Sequence, residues 1–196
     1  MAKDNLNKVF LSASVPYPDR DKKYYDTADI ISIRDAVRAL ATVVIPKAQL
    51  VWGGHPSITP LIRFVLDRMN VDLKRHVTLY QSLFFEEYFP PDNFAFETVV
   101  LTERKNSRNE SLELMRGRLI NGNDFKVGIF IGGMEGIIDE YAMFKERHPN
   151  ALILPIASTG AAAKILYETQ PQGLDIRLAN DYAYMALFRD LLNDYI

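Results

Sequence analysis

One local pattern recurs along this chain and restricts what it can fold into: a short apolar run, a turn of small residues, then a longer stretch with helical spacing. Residues 127–131 (VGIFI) run into Gly132-Gly133-Met134-Glu135-Gly136 and a helical stretch over 134–146. Residues 49–52 (QLVW) run into Gly53-Gly54 and, behind a Ser57 cap, a helix carrying Ile58, Leu61, Ile62, Val65, Leu66 and Met69. Apolar runs of this length, rich in β-branched and aromatic residues, fit strands buried on both faces. Similar runs at 8–13, 77–81, 97–102 and 152–155 predict further strands, and spacing predicts helices over 28–44, 107–120, 160–168 and 181–193. Strands alternating with helices predict an α/β fold: a Rossmann-like three-layer domain with a mostly parallel sheet between helices.

At 196 residues and 48% hydrophobic, the chain can bury one core, so residues 1–196 are expected to form a single domain. No repeat or linker-like segment divides it. The aromatic, acidic stretch 84–96, interrupted by Pro90-Pro91, fits no regular element and predicts a packed loop with a short helix. A net charge of −2 offers no broad field for polyanions, so nucleic acid is not an expected partner. The chain has no cysteine and three scattered histidines, which excludes thiolate chemistry and argues against a metal site; no cofactor is expected. No apolar run reaches membrane-spanning length and the first residues lack a secretory pattern, so the expectation is a cytoplasmic protein with no membrane partner.

In an open parallel sheet, ligands sit at the carboxyl ends of the strands, where loops meet helix N-termini. Four turns fall there. Ser12-Ala13-Ser14 supplies small hydroxyl residues, either for ligand contact or for a simple turn. Gly53-Gly54-His55-Pro56-Ser57-Ile58-Thr59 combines close backbone approach with a helix start that favours an anion. It is not a Walker loop, because no Gly-Lys-Ser/Thr follows. His55 reads as a proton donor, a stacking surface or a turn residue. Gly132, Gly133, Met134, Glu135 and Gly136 form a second glycine turn, with Glu140 one helical turn further on, either a working carboxylate or a solvated helical residue. Ser158-Thr159-Gly160 reads as a fourth turn or as a helix cap. Arg20, Arg34, Arg104, Arg108, Arg116 and Arg118 are available to clamp phosphate.

At Gly53-Gly54 and at GGMEGIIDE the chain resembles the SLOG superfamily, which includes the LOG phosphoribohydrolases, DprA and the ligand-sensing domains associated with TIR and TRPM proteins. FLSASVP and WGGHPSITPLI look most like the prokaryotic groups linked to nucleotide signalling and conflict systems. LOG enzymes carry a PGGxGTxxE signature in which glycines hold phosphate and the glutamate assists cleavage of an N-glycosidic bond. Gly132, Gly133, Gly136 and Glu140 match it, with one extra residue between the second and third glycines, Ile131 for the proline and Ile137 for the threonine. The signature's arginine falls on Ser111 when its methionine is matched to Met115, so the catalytic pair is incomplete unless Arg116, Arg108 or Arg118 substitutes.

The resemblance implies a binding domain for a nucleotide-derived signal of the ADP-ribose or cyclic ADP-ribose type. It would act as a homodimer or larger homo-oligomer, or through a TIR or effector partner. The rival expectation is hydrolysis of a nucleoside 5′-monophosphate, with Glu140 as the catalytic carboxylate.

Overall fold

The computed structural model describes residues 6–69, 71–170 and 173–196. Six parallel strands form one sheet: β1 (Lys8–Ser14), β2 (Gln49–Gly53), β3 (Val77–Ser82), β4 (Val99–Thr102), β5 (Phe125–Gly132) and β6 (Leu152–Ile156), in the order β4-β3-β2-β1-β5-β6. The helices are α1 (Lys22–Tyr25), α2 (Ile30–Val44), α3 (Thr59–Leu66), α4 (Arg108–Asn121), α5 (Glu135–Arg147), α6 (Ala161–Glu168), α7 (Arg177–Asn180) and α8 (Tyr184–Leu191). Among the described residues no helix is long and apolar enough to cross a membrane.

Alternation along the strands sorts the core into two layers. Val9 and Leu11 of β1 join Val127, Ile129 and Ile131 of β5 under α2, α3 and α8, whereas Phe10, Phe125 and Phe130 face α4, α5 and α6. On that second face Phe10 stacks on Phe144 with ring centroids 5.2 Å apart. On the first, Phe96 meets Trp52 edge-on at 5.1 Å.

This sorting creates the feature that positions the site. β1 and β5 are neighbours, yet the chain from β1 passes through α1 to α2 on one face, whereas β5 leads into α5 on the other. Their connections leave toward opposite faces, so the carboxyl edge between β1 and β5 is the topological switch point, where open α/β sheets form their ligand crevice.

Several local expectations need correction. Ser57 is not the cap of α3: Ile58 occupies that position without a side-chain hydrogen bond, and Pro60 supports the first turn instead. Most of residues 84–96 form two 3-10 helices, Leu83–Tyr88 and Pro91–Ala95, separated by Phe89 and Pro90, rather than one loop with a single helix. β4 begins at Val99, two residues later than expected. The last helix begins at Tyr184, because Asp181 turns the chain by accepting the amide of Ala183 at 2.7 Å. The four-residue helices α1 and α7 are too short to show a period in sequence.

Candidate functional site

Hydrogen bonds tie the turns at the carboxyl edge into one unit. The amide of Gly133 donates to the carbonyl of Ser14 at 2.8 Å, which joins the β5 turn to the β1 turn. The amide of Val15 reaches Ser57 Oγ at 3.4 Å, which joins β1 to the β2 turn. The amide of Gly132 donates to Thr159 Oγ1 at 2.9 Å, which brings in the β6 turn. Ser12, Ala13, Ser14, Gly53, Gly54, His55, Ser57, Gly132 and Gly133 therefore belong to turns held together at the switch point.

The β5 turn spends its glycines on structure. Gly132 and Gly133 have φ of 58° and 79°, in the left-handed region that favours glycine. A methyl on Gly133 would collide with Ile137, and one on Gly132 with Ile33. Because their amides are already engaged by Thr159 and Ser14, the donors left for an anion are those of Met134, Glu135 and Gly136, where α5 opens without intrahelical acceptors.

One turn into α5, Glu140 is not a solvated helical residue. Its side chain is 15% exposed, Ser12 Oγ donates to its Oε2 at 2.6 Å, and Arg116 Nε donates to its Oε1 at 3.1 Å. The same guanidinium donates to Asp139 Oδ2 at 3.2 Å and to the carbonyl of Gly136 at 3.4 Å. Gly136 makes this reach possible, since a Cβ there would lie 2.7 Å from Arg116 Nη2. Ser111, at the position matched to the LOG arginine, is fully buried; it donates to the carbonyl of Ser107 at 2.8 Å and accepts the amide of Lys105 at 3.0 Å. Arg116 from α4 is the arginine that meets the carboxylate.

Across the crevice, His55 Nδ1 lies 2.7 Å from Ser57 Oγ and accepts the amide of Ser57 at 3.2 Å. Burial, with the nearby Arg20 charge second, pushes its pKa down to about 4. The ring is neutral near pH 7, and with Nδ1 accepting, Nε2–H is the free donor. Tyr17 approaches the His55 ring at a centroid distance of 6.5 Å, and Arg20 lies 6.0 Å from the Tyr17 ring. Arg20 also pairs with Glu135 Oε1 at 3.2 Å, so the segment after β1 spans from the β2 turn to the start of α5. Tyr17 escaped the sequence reading; its place in a Tyr-Pro loop between two site turns was the available signal.

Other predicted contacts turn inward. Thr59 is fully buried, with Oγ1 accepting from Trp52 Nε1 at 3.4 Å. Ser158 is buried against the hydroxyl of Tyr184 at 3.1 Å. Thr159 Oγ1 donates to the carbonyl of Ile156, and the left-handed Gly160, φ 70°, is pressed against the backbone of Thr27. None of the three caps α6 through its side chain. These residues hold the β2 and β6 turns in shape through backbone and buried contacts. Among the described residues, no three His, Cys, Asp or Glu side chains group to hold a metal ion.

The model of the SLOG cluster3 family matches residues 23–192. A search of curated proteins gave no match. Among solved structures, the X-ray structure of TM1055, a structural-genomics target, is similar with a TM-score of 0.63 at 15% identity, covering 95% of this chain and 99% of its own. At that identity the likeness speaks to the fold, and it agrees with a Rossmann-like sheet between two helical layers.

Proposed function

The chain belongs to the SLOG cluster 3 family, and we propose that its carboxyl-edge crevice binds a phosphorylated, nucleotide-derived signal of the ADP-ribose or cyclic ADP-ribose type. The observation that carries this reading is the joining of the β1, β2 and β5 turns around the divergence of α2 and α5, with free α5 amides on one side and a neutral His55 on the other. Phosphate oxygens take the amides of Met134, Glu135 and Gly136, and Arg20 leaves Glu135 for the more highly charged ligand. Glu140, fixed by Ser12 and Arg116, accepts from ribose hydroxyls. Ligand held by three turns at once orders residues 15–21, and that surface passes the signal to a second copy of the chain or to a TIR or effector partner.

The Ser12–Glu140–Arg116 arrangement favours a second reading, hydrolysis of an N-glycosidic bond. In that reaction the C1–N bond breaks, the base leaves with the bonding pair and takes up a proton, and water adds to C1. A carboxylate fixed beside C1 stabilises the positive charge that develops there.

Thermal shift and chromatography on one nucleotide panel test both readings. A ligand at one hundred times its Kd adds about 2.7 kcal/mol, which raises the melting temperature by about 5–10 °C for a chain of this size. That shift with ligand recovered intact supports the sensor. Free base that disappears in Glu140→Gln establishes the hydrolase, and a panel with neither signal refutes both.

A further inference from the structure

Gln81 is the next-to-last residue of β3, paired in register with Leu101 of β4, at the same carboxyl edge as the glycine turns. It is 4% exposed. Its main-chain carbonyl accepts from Thr102 Oγ1 at 3.4 Å, yet among the described residues its carboxamide neither donates nor accepts a hydrogen bond. Its amide atoms also differ from those of Asn93, which are unpartnered and sealed from solvent. The Gln81 carboxamide, in a residue otherwise buried, keeps its polar atoms in contact with solvent and so within reach of an incoming group.

The carboxamide is packed directly against Gly54. A methyl group there would overlap Nε2 and Cδ and would lie 2.8 Å from Oε1. Gly54 is thus the position that makes room for this amide: its own N–H is tied to the carbonyl of Tyr80 at 2.8 Å, and the Gln81 carboxamide occupies the space that a side chain there would take. The chain leaving β3 carries a half-buried aromatic pair, Phe84 and Phe85, with centroids 5.1 Å apart and Arg104 lying 5.7 Å from the Phe84 ring. Flat rings and guanidinium planes of this kind stack on bases.

We infer that Gln81 is the base-reading residue of the crevice, its carboxamide taking the donor–acceptor edge of a 6-aminopurine laid over Gly54. A Gln side chain offers N–H and C=O side by side, the complement of an exocyclic amino group next to a ring nitrogen. β3 is three strand spacings from β5, about 14 Å, so base at β3 and phosphate at α5 are the two ends of one extended nucleotide lying across the sheet edge. This assignment rests on the nucleotide-binding reading of the same crevice and adds where the adenine lies, on the β2–β3 side, and which side chain reads it.

Calorimetry on the full chain tests it, with ADP-ribose and with 1,N6-etheno-ADP-ribose, whose bridged ring removes the amino group. Wild type binds the etheno analogue about tenfold or more weakly than ADP-ribose, as expected for loss of a bidentate pair. Gln81→Leu weakens ADP-ribose by the same factor and leaves the etheno affinity unchanged. Gln81→Glu, which keeps the shape and loses the donors, gives the same ADP-ribose loss and serves if the leucine variant does not fold. Equal wild-type affinity for the two ligands, or undiminished ADP-ribose binding by a folded variant, overturns the role of Gln81 while the crevice still binds nucleotide. Heat from neither ligand in wild type overturns the nucleotide-binding reading and this one with it.

Discussion

The two glycine turns look alike in sequence and do different things in the fold. At the β5–α5 turn, Gly132 and Gly133 adopt positive φ and commit their amides to Thr159 and Ser14, while Gly136 clears a path for Arg116 to Glu140. At the β2–α3 turn neither glycine has positive φ; Gly54 lies against one flexible side chain, Gln81. Glycine therefore serves backbone conformation and carboxylate positioning in the first turn and close approach in the second. Mutations should separate the two.

The largest expected effect is Gly133→Ala, which adds left-handed strain to a collision with Ile137 and costs about 3 kcal/mol or more in chemical denaturation. Loss of less than 1 kcal/mol would show that the turn relaxes freely and would break the contrast. The β2–α3 turn carries a pH dependence of its own. Folded His55 titrates near pH 4 against 6.5 as its ordinary value, so between those pH values the unfolded chain holds a proton that the folded chain lacks. Stability therefore falls as pH drops from 6.5 towards 4, by about 3 kcal/mol. His55→Gln flattens that slope in denaturant titrations at stepped pH, and an unchanged slope would assign it to other groups.

Arg116→Leu leaves Glu140 without its cation. Since both side chains keep 15% exposure, the cost falls below that of a sealed pair, at about 2 kcal/mol, measured by the urea midpoint. Gly54→Ala should change stability by under about 1 kcal/mol, because only the flexible carboxamide must move, yet weaken ADP-ribose binding in calorimetry. Equal losses of stability in Gly54→Ala and Gly133→Ala would erase the distinction between the turns. Arg20→Ala is the mildest in stability, about 0.5 kcal/mol or less for an exposed pair, with its effect read in ligand affinity.

The layers and the sheet edge were legible because strands buried on both faces leave unbroken apolar runs, as at residues 127–131, and because glycine and hydroxyl turns follow them. What sequence spacing did not disclose was tertiary. Arg116 meets Glu140 only because α4 packs beside α5 and Gly136 lacks a side chain. Ser57 resembled a helix cap, but its hydroxyl bonds His55 and the amide of Val15. Ser158 and Thr159 were visible as a hydroxyl turn, but their inward direction depends on Tyr184 and Gly132. Gln81 ends a short run that also holds Thr78, and nothing in that run shows that its amide would lack a partner.

The most direct test is an amide NMR titration of the isotope-labelled chain with ADP-ribose. Saturable shifts confined to residues 12–21, 53–59, 81–84 and 134–140 would place the ligand across the carboxyl edge as described. Shifts concentrated instead at the opposite end of the sheet, where Asn123, Lys126, Arg147 and His148 line a cleft of about 620 Å³, or no shifts at saturating ligand, would contradict it.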